Sequence, residues 1–217
     1  MSVRIRNGET KMKTTIYFIR HGQTQWNKEQ CMQGWQNSNL TDLGKEQADL
    51  LGKKFKKENL QLDLFYSSPS PSPRALETVN IINQSLGVET LEEFGFQEIN
   101  MGIWEGKTYP EIIEKNPEEW HNFWEKQEDF KADNKGETFE ELSCRSFSSL
   151  KKAIKDNEGK QIRIVSHRIT IKSMIADLLG ISKSELEDVE PNSVTKVSIL
   201  DGVTTLEVYS DISHYEK

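Results

Sequence analysis

Two apolar, β-branched runs of this sequence stop directly on a histidine: Phe18-Ile19-Arg20-His21 and Ile164-Val165-Ser166-His167. Two arginines accompany them. Arg20 stands immediately before the first histidine, and Arg74 follows a third strand-like run and opens a helix-like stretch. In open α/β sheets, ligands gather beyond the carboxyl ends of the strands, so all four side chains are expected at one sheet edge. Two guanidinium forks and two imidazoles converging there suit an anion, because the planar fork of Arg can hold two phosphate oxygens at once. A neutral imidazole can also attack phosphorus, and the covalent intermediate divides hydrolysis into two easier steps. A hydrogen bond from one ring nitrogen to backbone would fix the tautomer that does so. Any one of these residues alone would read as an ordinary polar residue at a strand or helix end. Their joint placement at three strand ends is the signal.

The elements that must position them alternate along the chain. Residues 15–19 form a β-rich run. Thr41 is placed to cap a helix in which Ala48, Leu51 and Phe55 recur at helical spacing. Residues 62–66 are the next strand candidate. Ala75, Val79, Ile82 and Leu86 then fall on one helix face, with Gly87 as the stop. Thr138 and Glu141 make a capping-box pattern ahead of Phe139, Phe147, Leu150 and Ile154. Residues 162–166 read as a short buried strand, and Ile171, Met174, Ile175 and Leu178 as a helix ended by Gly180. Residues 195–199 and 206–208 read as a hairpin turning at Asp201-Gly202. This alternation predicts an α/β fold. Residues 104–135 differ in character, with Trp104, Trp120 and Trp124 among many Glu and Lys, broken by Pro110 and Pro117. They read as a helical insertion, either a lid or peripheral helices packed on the core. Residues 1–13 read as a disordered arm before a single domain over residues 14–217, and the Ser/Pro run at 67–73 as a rigid loop.

A length of 217 residues suits one domain and can bury a substantial core. Charged residues make up 29%, the hydrophobic set 35% and aromatics 9%, which fits a folded globule with a polar surface. The net charge of −7 argues against nucleic acid or an anionic membrane as a partner, because the averaged field repels phosphate. No apolar run reaches the length of a membrane span, and residues 1–11 lack the hydrophobic stretch of a signal peptide. Two cysteines, Cys31 and Cys144, rule out a disulfide framework or a Cys-rich zinc site and fit the reduced thiols of a cytoplasmic protein. Nothing in the sequence sets an oligomeric state.

Arg20-His21-Gly22-Gln23-Thr24, followed by Trp26-Asn27, resembles the RHG signature of the histidine phosphatase superfamily, also called phosphoglycerate mutase-like. Supporting stretches follow in order: Met32-Gln33-Gly34-Trp35, Leu40-Thr41-Asp42-Leu43-Gly44, Arg74-Ala75-Leu76-Glu77-Thr78, the segment from Glu98 to Gly106, and Val165-Ser166-His167. The resemblance implies a three-layer α/β/α sandwich with a mostly parallel sheet, and phosphohistidine chemistry that needs no metal or other cofactor. It implies that His21 is the nucleophile, and that Glu98 is the acid on the leaving oxygen and then the base for water. Arg20, Arg74 and His167 would hold the phosphate oxygens, with a side-chain hydrogen bond from Asn27. Gln33 and Thr24 would line the substrate pocket. Among the neighbouring acids Glu92, Glu93, Glu98 and Glu105, only the motif singles out Glu98.

The segment after the acid resembles the broad-specificity phosphatase branch, so the expected substrate is a small phosphorylated metabolite. The alternatives are a mutase moving phosphate between the hydroxyls of phosphoglycerate and a non-catalytic binder of phospho-ligands. Trp104, Tyr109, Trp120, Phe123 and Trp124 are expected to wall the leaving-group side. Two departures stand out. Arg168 follows His167 where the family usually has Gly; it would strain or narrow the site, supply a cation for a second acidic group of the substrate, or face solvent. The Ser/Pro loop runs about two residues longer than usual before Arg74. It would either bulge outward, leaving Arg74 in place, or reshape the mouth.

Overall fold

The computed structural model describes residues 12–59, 63–69 and 73–216. Its strands are β1 (Thr14–Arg20), β2 (Leu64–Ser67), β3 (Thr90–Glu92), β4 (Gln161–Ser166), β5 (Val194–Leu200) and β6 (Val203–Asp211). Its helices are α1 (Gln25–Glu29), α2 (Asp42–Lys57), α3 (Arg74–Asn83), α4 (Tyr109–Lys115), α5 (Pro117–Glu125), α6 (Phe139–Asp156) and α7 (Arg168–Leu179). The strands form one sheet in the order β3-β2-β4-β1-β5-β6. The first four are mutually parallel; β5 pairs antiparallel with β1, and β6 pairs antiparallel with β5.

Side chains alternate across a strand, and here both faces are apolar. Ile16, Phe18, Leu64, Tyr66, Ile162 and Ile164 pack on one side against Leu150 of α6 and Ile171, Met174 and Ile175 of α7. Tyr17, Ile19, Phe65 and Val165 pack on the other against Leu51 and Phe55 of α2 and Val79 and Ile82 of α3. A sheet buried on both faces between helical layers is the expected α/β/α sandwich, and such burial explains why the parallel strands read as continuous apolar runs.

The capping signals hold in detail. The Thr41 hydroxyl accepts from Gly44 N at 3.0 Å, and the Thr138 hydroxyl accepts from Glu141 N at 3.2 Å. Asp201 and Gly202 take φ of 53° and 76°, the left-handed pair that a tight two-residue hairpin turn requires. Helix α3 stops at Asn83, short of the expected Gly87. The Asn83 side chain binds both backbone groups of Val88, at 2.6 and 2.9 Å, and so competes with a further helical turn.

The 104–135 insertion has a small core of its own. Trp104, Ile112, Phe123 and Phe130 pack with Phe139 and Leu142 of α6 and Ile169 of α7. Ring centroids lie 5.7 Å apart for Trp104–Phe123 and 5.1 Å for Phe123–Phe130, both near edge-to-face. Of the expected N-terminal arm, residues 1–11 lie outside the described residues. Lys13 ion-pairs with Glu207 at 2.6 Å. Among the described residues no helix is long and apolar enough to cross a membrane.

Candidate active site

His21 is the first residue after β1. Its N–H donates to Ser166 O at 3.0 Å, which locks the ends of β1 and β4 side by side. Gly22 then passes against α2 and α3. Its N–H donates to the Thr78 hydroxyl at 3.0 Å, and a Cβ there would stand 2.8 Å from Gly44 O. Only glycine allows that approach. The imidazole Nδ1 lies 2.8 Å from Gly22 O. A carbonyl can only accept, so Nδ1 carries the proton and Nε2 keeps its lone pair. Nε2 accepts from Arg74 Nε at 3.1 Å. Burial, followed by the Arg74 and Arg20 charges, holds the His21 pKa well below its ordinary value, so the ring is neutral at pH 7.

Arg74 opens α3 and is almost fully buried. Its Nη1 donates to Gln36 O at 2.9 Å and its Nη2 to Gly34 O at 2.8 Å. The loop that supplies these carbonyls hangs on Glu105. That carboxylate accepts from the N–H groups of Trp35, Met101 and Gln36 at 2.8, 3.1 and 3.0 Å. Glu105 therefore positions Arg74 and is not a rival acid. Burial is the main reason that the Arg74 pKa is lowered to about 10.

Arg20 donates from Nη1 to Val189 O at 2.5 Å, while its Nε is buried without a partner. His167 is fully buried, both of its ring nitrogens lack a partner, and its ring centroid lies 5.1 Å from that of His21. Burial, then Arg74, His21, Arg145 and Arg20, hold its pKa well below the usual value. Buried polar groups are normally hydrogen-bonded. Unpartnered buried nitrogens on Arg20 and His167, next to a His21 ring whose Nε2 accepts from Arg74, suit an anion.

Glu98 is buried on the loop between β3 and α4. Its carboxylate accepts from the N–H groups of Ile99, Thr170 and Ile169 at 3.0, 3.1 and 3.2 Å, and from the Thr170 hydroxyl at 3.0 Å. It thus caps the first turn of α7, the helix whose N-cap residue is His167. One helix end fixes the acid and the second histidine together. The acid's own backbone is clamped by Arg145 of α6, which donates to the carbonyls of Gly95, Gln97 and Glu98 at 3.0, 3.1 and 2.8 Å. Glu137 grips the same guanidinium at 2.7 and 2.8 Å. Sequence reasoning missed both residues, because a lone arginine on the polar side of an amphipathic helix carries no local mark of its partners. Glu92 is exposed, and Glu93 is occupied by Gly95 N and the Ser149 hydroxyl at 3.1 and 2.9 Å.

Asn27 and Gln33 line the same cavity as His21, Arg20, Arg74 and Glu98. Thr24 is not on its wall. It is fully buried as the N-cap of α1, where it exchanges hydrogen bonds with Asn27 and accepts from Gln33 Nε2. Its role is to hold the other two. Of the aromatic residues expected at the mouth, Tyr109 and Trp124 line the cavity. Trp104 and Phe123 lie in the insertion core, where Trp120 packs against them. The cavity has a volume of about 50 Å³. A wider hollow of about 710 Å³ beside α5 is lined by Lys, Glu, Asp, Asn and Pro and holds neither histidine nor arginine.

Arg168 takes helical backbone as the first residue of α7, so no glycine is required there and no strain arises. Its guanidinium lies 4.7 Å from the centre of a Trp124 ring and pairs with the partly exposed Asp188 at 2.6 Å, and Arg168 and Trp124 both line the cavity. The Ser/Pro loop falls partly on residues 70–72, outside the described residues, and Arg74 beyond it sits in the site. Among the described residues no group of three or more His, Cys, Asp or Glu could hold a metal ion.

The family model described as histidine phosphatase superfamily (branch 1) matches residues 16–212. Phosphoglycerate mutase-like protein 4 of Arabidopsis thaliana is 30% identical over 204 residues, covering 93% of this chain and 87% of that protein. The metal-independent phosphoserine phosphatase of the same plant is 28% identical over 93% of this chain and 83% of its own length. Among solved structures, YhfR of Bacillus stearothermophilus superposes with a TM-score of 0.87 at 32% identity, covering 94% of this chain and 100% of that one.

Proposed function

Since the chain belongs to the histidine phosphatase superfamily, we propose that it is a phosphatase that hydrolyses small phosphomonoesters through a phosphohistidine, without a metal. The observation that carries this reading is the His21 ring. Its tautomer is set by Gly22 O, its unprotonated Nε2 accepts from Arg74 Nε, and the neighbouring side chains of Arg20 and His167 carry unpartnered ring or guanidinium nitrogens.

The incoming phosphoryl oxygens take the place of Nε2 as acceptors of the Arg74 Nε–H, which frees the lone pair. Arg20 and His167 donate to the same oxygens. Nε2 then attacks phosphorus in line, the ester P–O bond breaks, and the Glu98 carboxyl passes its proton to the leaving oxygen. In the second step Glu98 takes a proton from water, the oxygen attacks phosphorus, the N–P bond breaks, and inorganic phosphate leaves. Positioning and charge stabilisation supply most of the acceleration in such transfers. In the same reading the protein is cytoplasmic and takes a small metabolite rather than nucleic acid or a membrane surface, in keeping with its net charge of −7.

The test is phosphate release from a panel of phosphomonoesters with chelator present, comparing the wild type with His21→Ala. The variant is expected to lose at least about 10³-fold, the scale of removing a covalent nucleophile. Full activity in His21→Ala would overturn the reading. Bisphosphate-dependent isomerisation of phosphoglycerate without phosphate release would assign a mutase instead, and phosphate binding without turnover a binder.

A further inference from the structure

The phosphate cradle makes no use of Arg168, although this side chain forms part of the cavity wall. Its fork is held from two sides. Its Cζ lies over a Trp124 ring, 4.7 Å from the centroid, and Nε donates to Asp188 at 2.6 Å. Among the described residues no hydrogen bond occupies its two Nη groups. Stacking on an aromatic face pre-orients a guanidinium and leaves its fork open to a planar acceptor. Trp124 adds a second vacancy. It also lines the cavity, and its Nε1–H is buried without an acceptor. A third guanidinium near Arg20 works against the cradle's own cations: after burial, the charge of Arg168 is the largest influence lowering the Arg20 pKa. A second anion at the mouth would offset that repulsion.

We infer that Arg168, with the Nε1–H of Trp124, forms a second anion subsite, so that the preferred ester carries a carboxylate or a second phosphate besides the group that reacts. The inference rests on the phosphatase reading above and names its substrate class. Arg168 directly follows His167 at the start of α7, so the two anions would be held by consecutive residues. Asp188 holds the fork in place when no second anion is bound.

Matched esters separate the groups. 3-Phosphoglycerate differs from glycerol 3-phosphate in a carboxylate against a hydroxymethyl group, and fructose 1,6-bisphosphate differs from fructose 6-phosphate in a second phosphate. Within one of these pairs the wild type is expected to favour the doubly acidic ester by about 10- to 100-fold in kcat/KM, the scale of a charge-assisted hydrogen bond. The pair that shows the preference identifies the second anion. Arg168→Gln should bring that ratio close to 1, and Arg168→Lys should restore part of it. A wild type with no preference in either pair, or a preference that survives Arg168→Gln, would overturn the inference while leaving phosphate hydrolysis intact. If no ester is turned over, the phosphatase reading fails by itself. The subsite is then read by calorimetric binding of the same pairs to His21→Ala and to His21→Ala/Arg168→Gln. A preference lost in the double variant supports it, and no preference in the single variant overturns it.

Discussion

At the phosphate cradle, His21, Arg20 and Arg74 are held by backbone carbonyls and Glu98 by backbone N–H groups, whereas at the mouth Tyr109, Trp124 and Arg168 are held by ring contacts and one ion pair. The groups at the ends of β1 and α7 are fixed by the sheet, and the loop carbonyls of Gly34 and Gln36 by Glu105, so the cradle is shaped before substrate arrives. Such preorganisation is what lets fixed donors stabilise a transition state. Tyr109 and Trp124 of the mouth are carried by helices with a separate aromatic core, and Arg168 reaches it from the start of α7. In the proposed function, chemistry belongs to the first region and choice of substrate to the second.

That division sets the expected effects. Glu98→Gln should lower kcat for an alkyl phosphate by about 10²–10⁴, the usual contribution of a positioned acid. The loss should be smaller for p-nitrophenyl phosphate, whose leaving oxygen needs less protonation. Equal losses on both esters would remove Glu98 from that role. Arg74→Lys keeps a charge but loses the fork held by Gly34 and Gln36, and should cost about 10²–10³ in kcat. A loss no greater than that of Arg168→Lys on the same ester would erase the distinction between cradle and mouth.

Phe123→Ala should act in the opposite sense. It empties the insertion core and should cost about 3–5 kcal/mol in denaturant unfolding, while phosphate release from p-nitrophenyl phosphate persists below the transition. Lost turnover in a still-folded variant would tie the insertion to the chemistry. The smallest effect concerns pH. The pKa values of His21 and His167 are depressed in the fold, so the acid limb of kcat/KM for the free enzyme should lie below about pH 6.5. Below that pH the unfolded chain binds more protons than the folded one, so stability should fall with acidification. Urea midpoints that stay level from about pH 7.5 to 5.5 would contradict the neutral, buried histidines.

The cradle was legible because its residues sit where the hydrophobic pattern breaks. A strand that ends on His21 or His167 announces an edge, and the sheet gathers such edges. The alternation pointed to an α/β fold, and the mostly parallel sandwich came from the family resemblance. Thr24 was misplaced because a motif position does not tell capping from contact; its hydroxyl is spent on Asn27 and Gln33. Arg145 was missed, and Glu105 was read only as a neighbouring acid, because each acts through distant backbone, at separations no local pattern encodes. Strand β3 has only three residues at the sheet edge and α1 only five, too short for a periodic signal. Arg168 left three readings open until its contacts with Trp124 and Asp188 were seen.

The most direct test of the central claim is to trap the covalent intermediate. The wild type is mixed rapidly with a turned-over phosphomonoester, quenched in alkaline denaturant, and digested for mass spectrometry. A phosphoryl group is expected on the peptide containing His21, forming and decaying at least as fast as steady-state turnover. Phosphate release that proceeds with no modified peptide, or with the phosphoryl group on another residue, would contradict it.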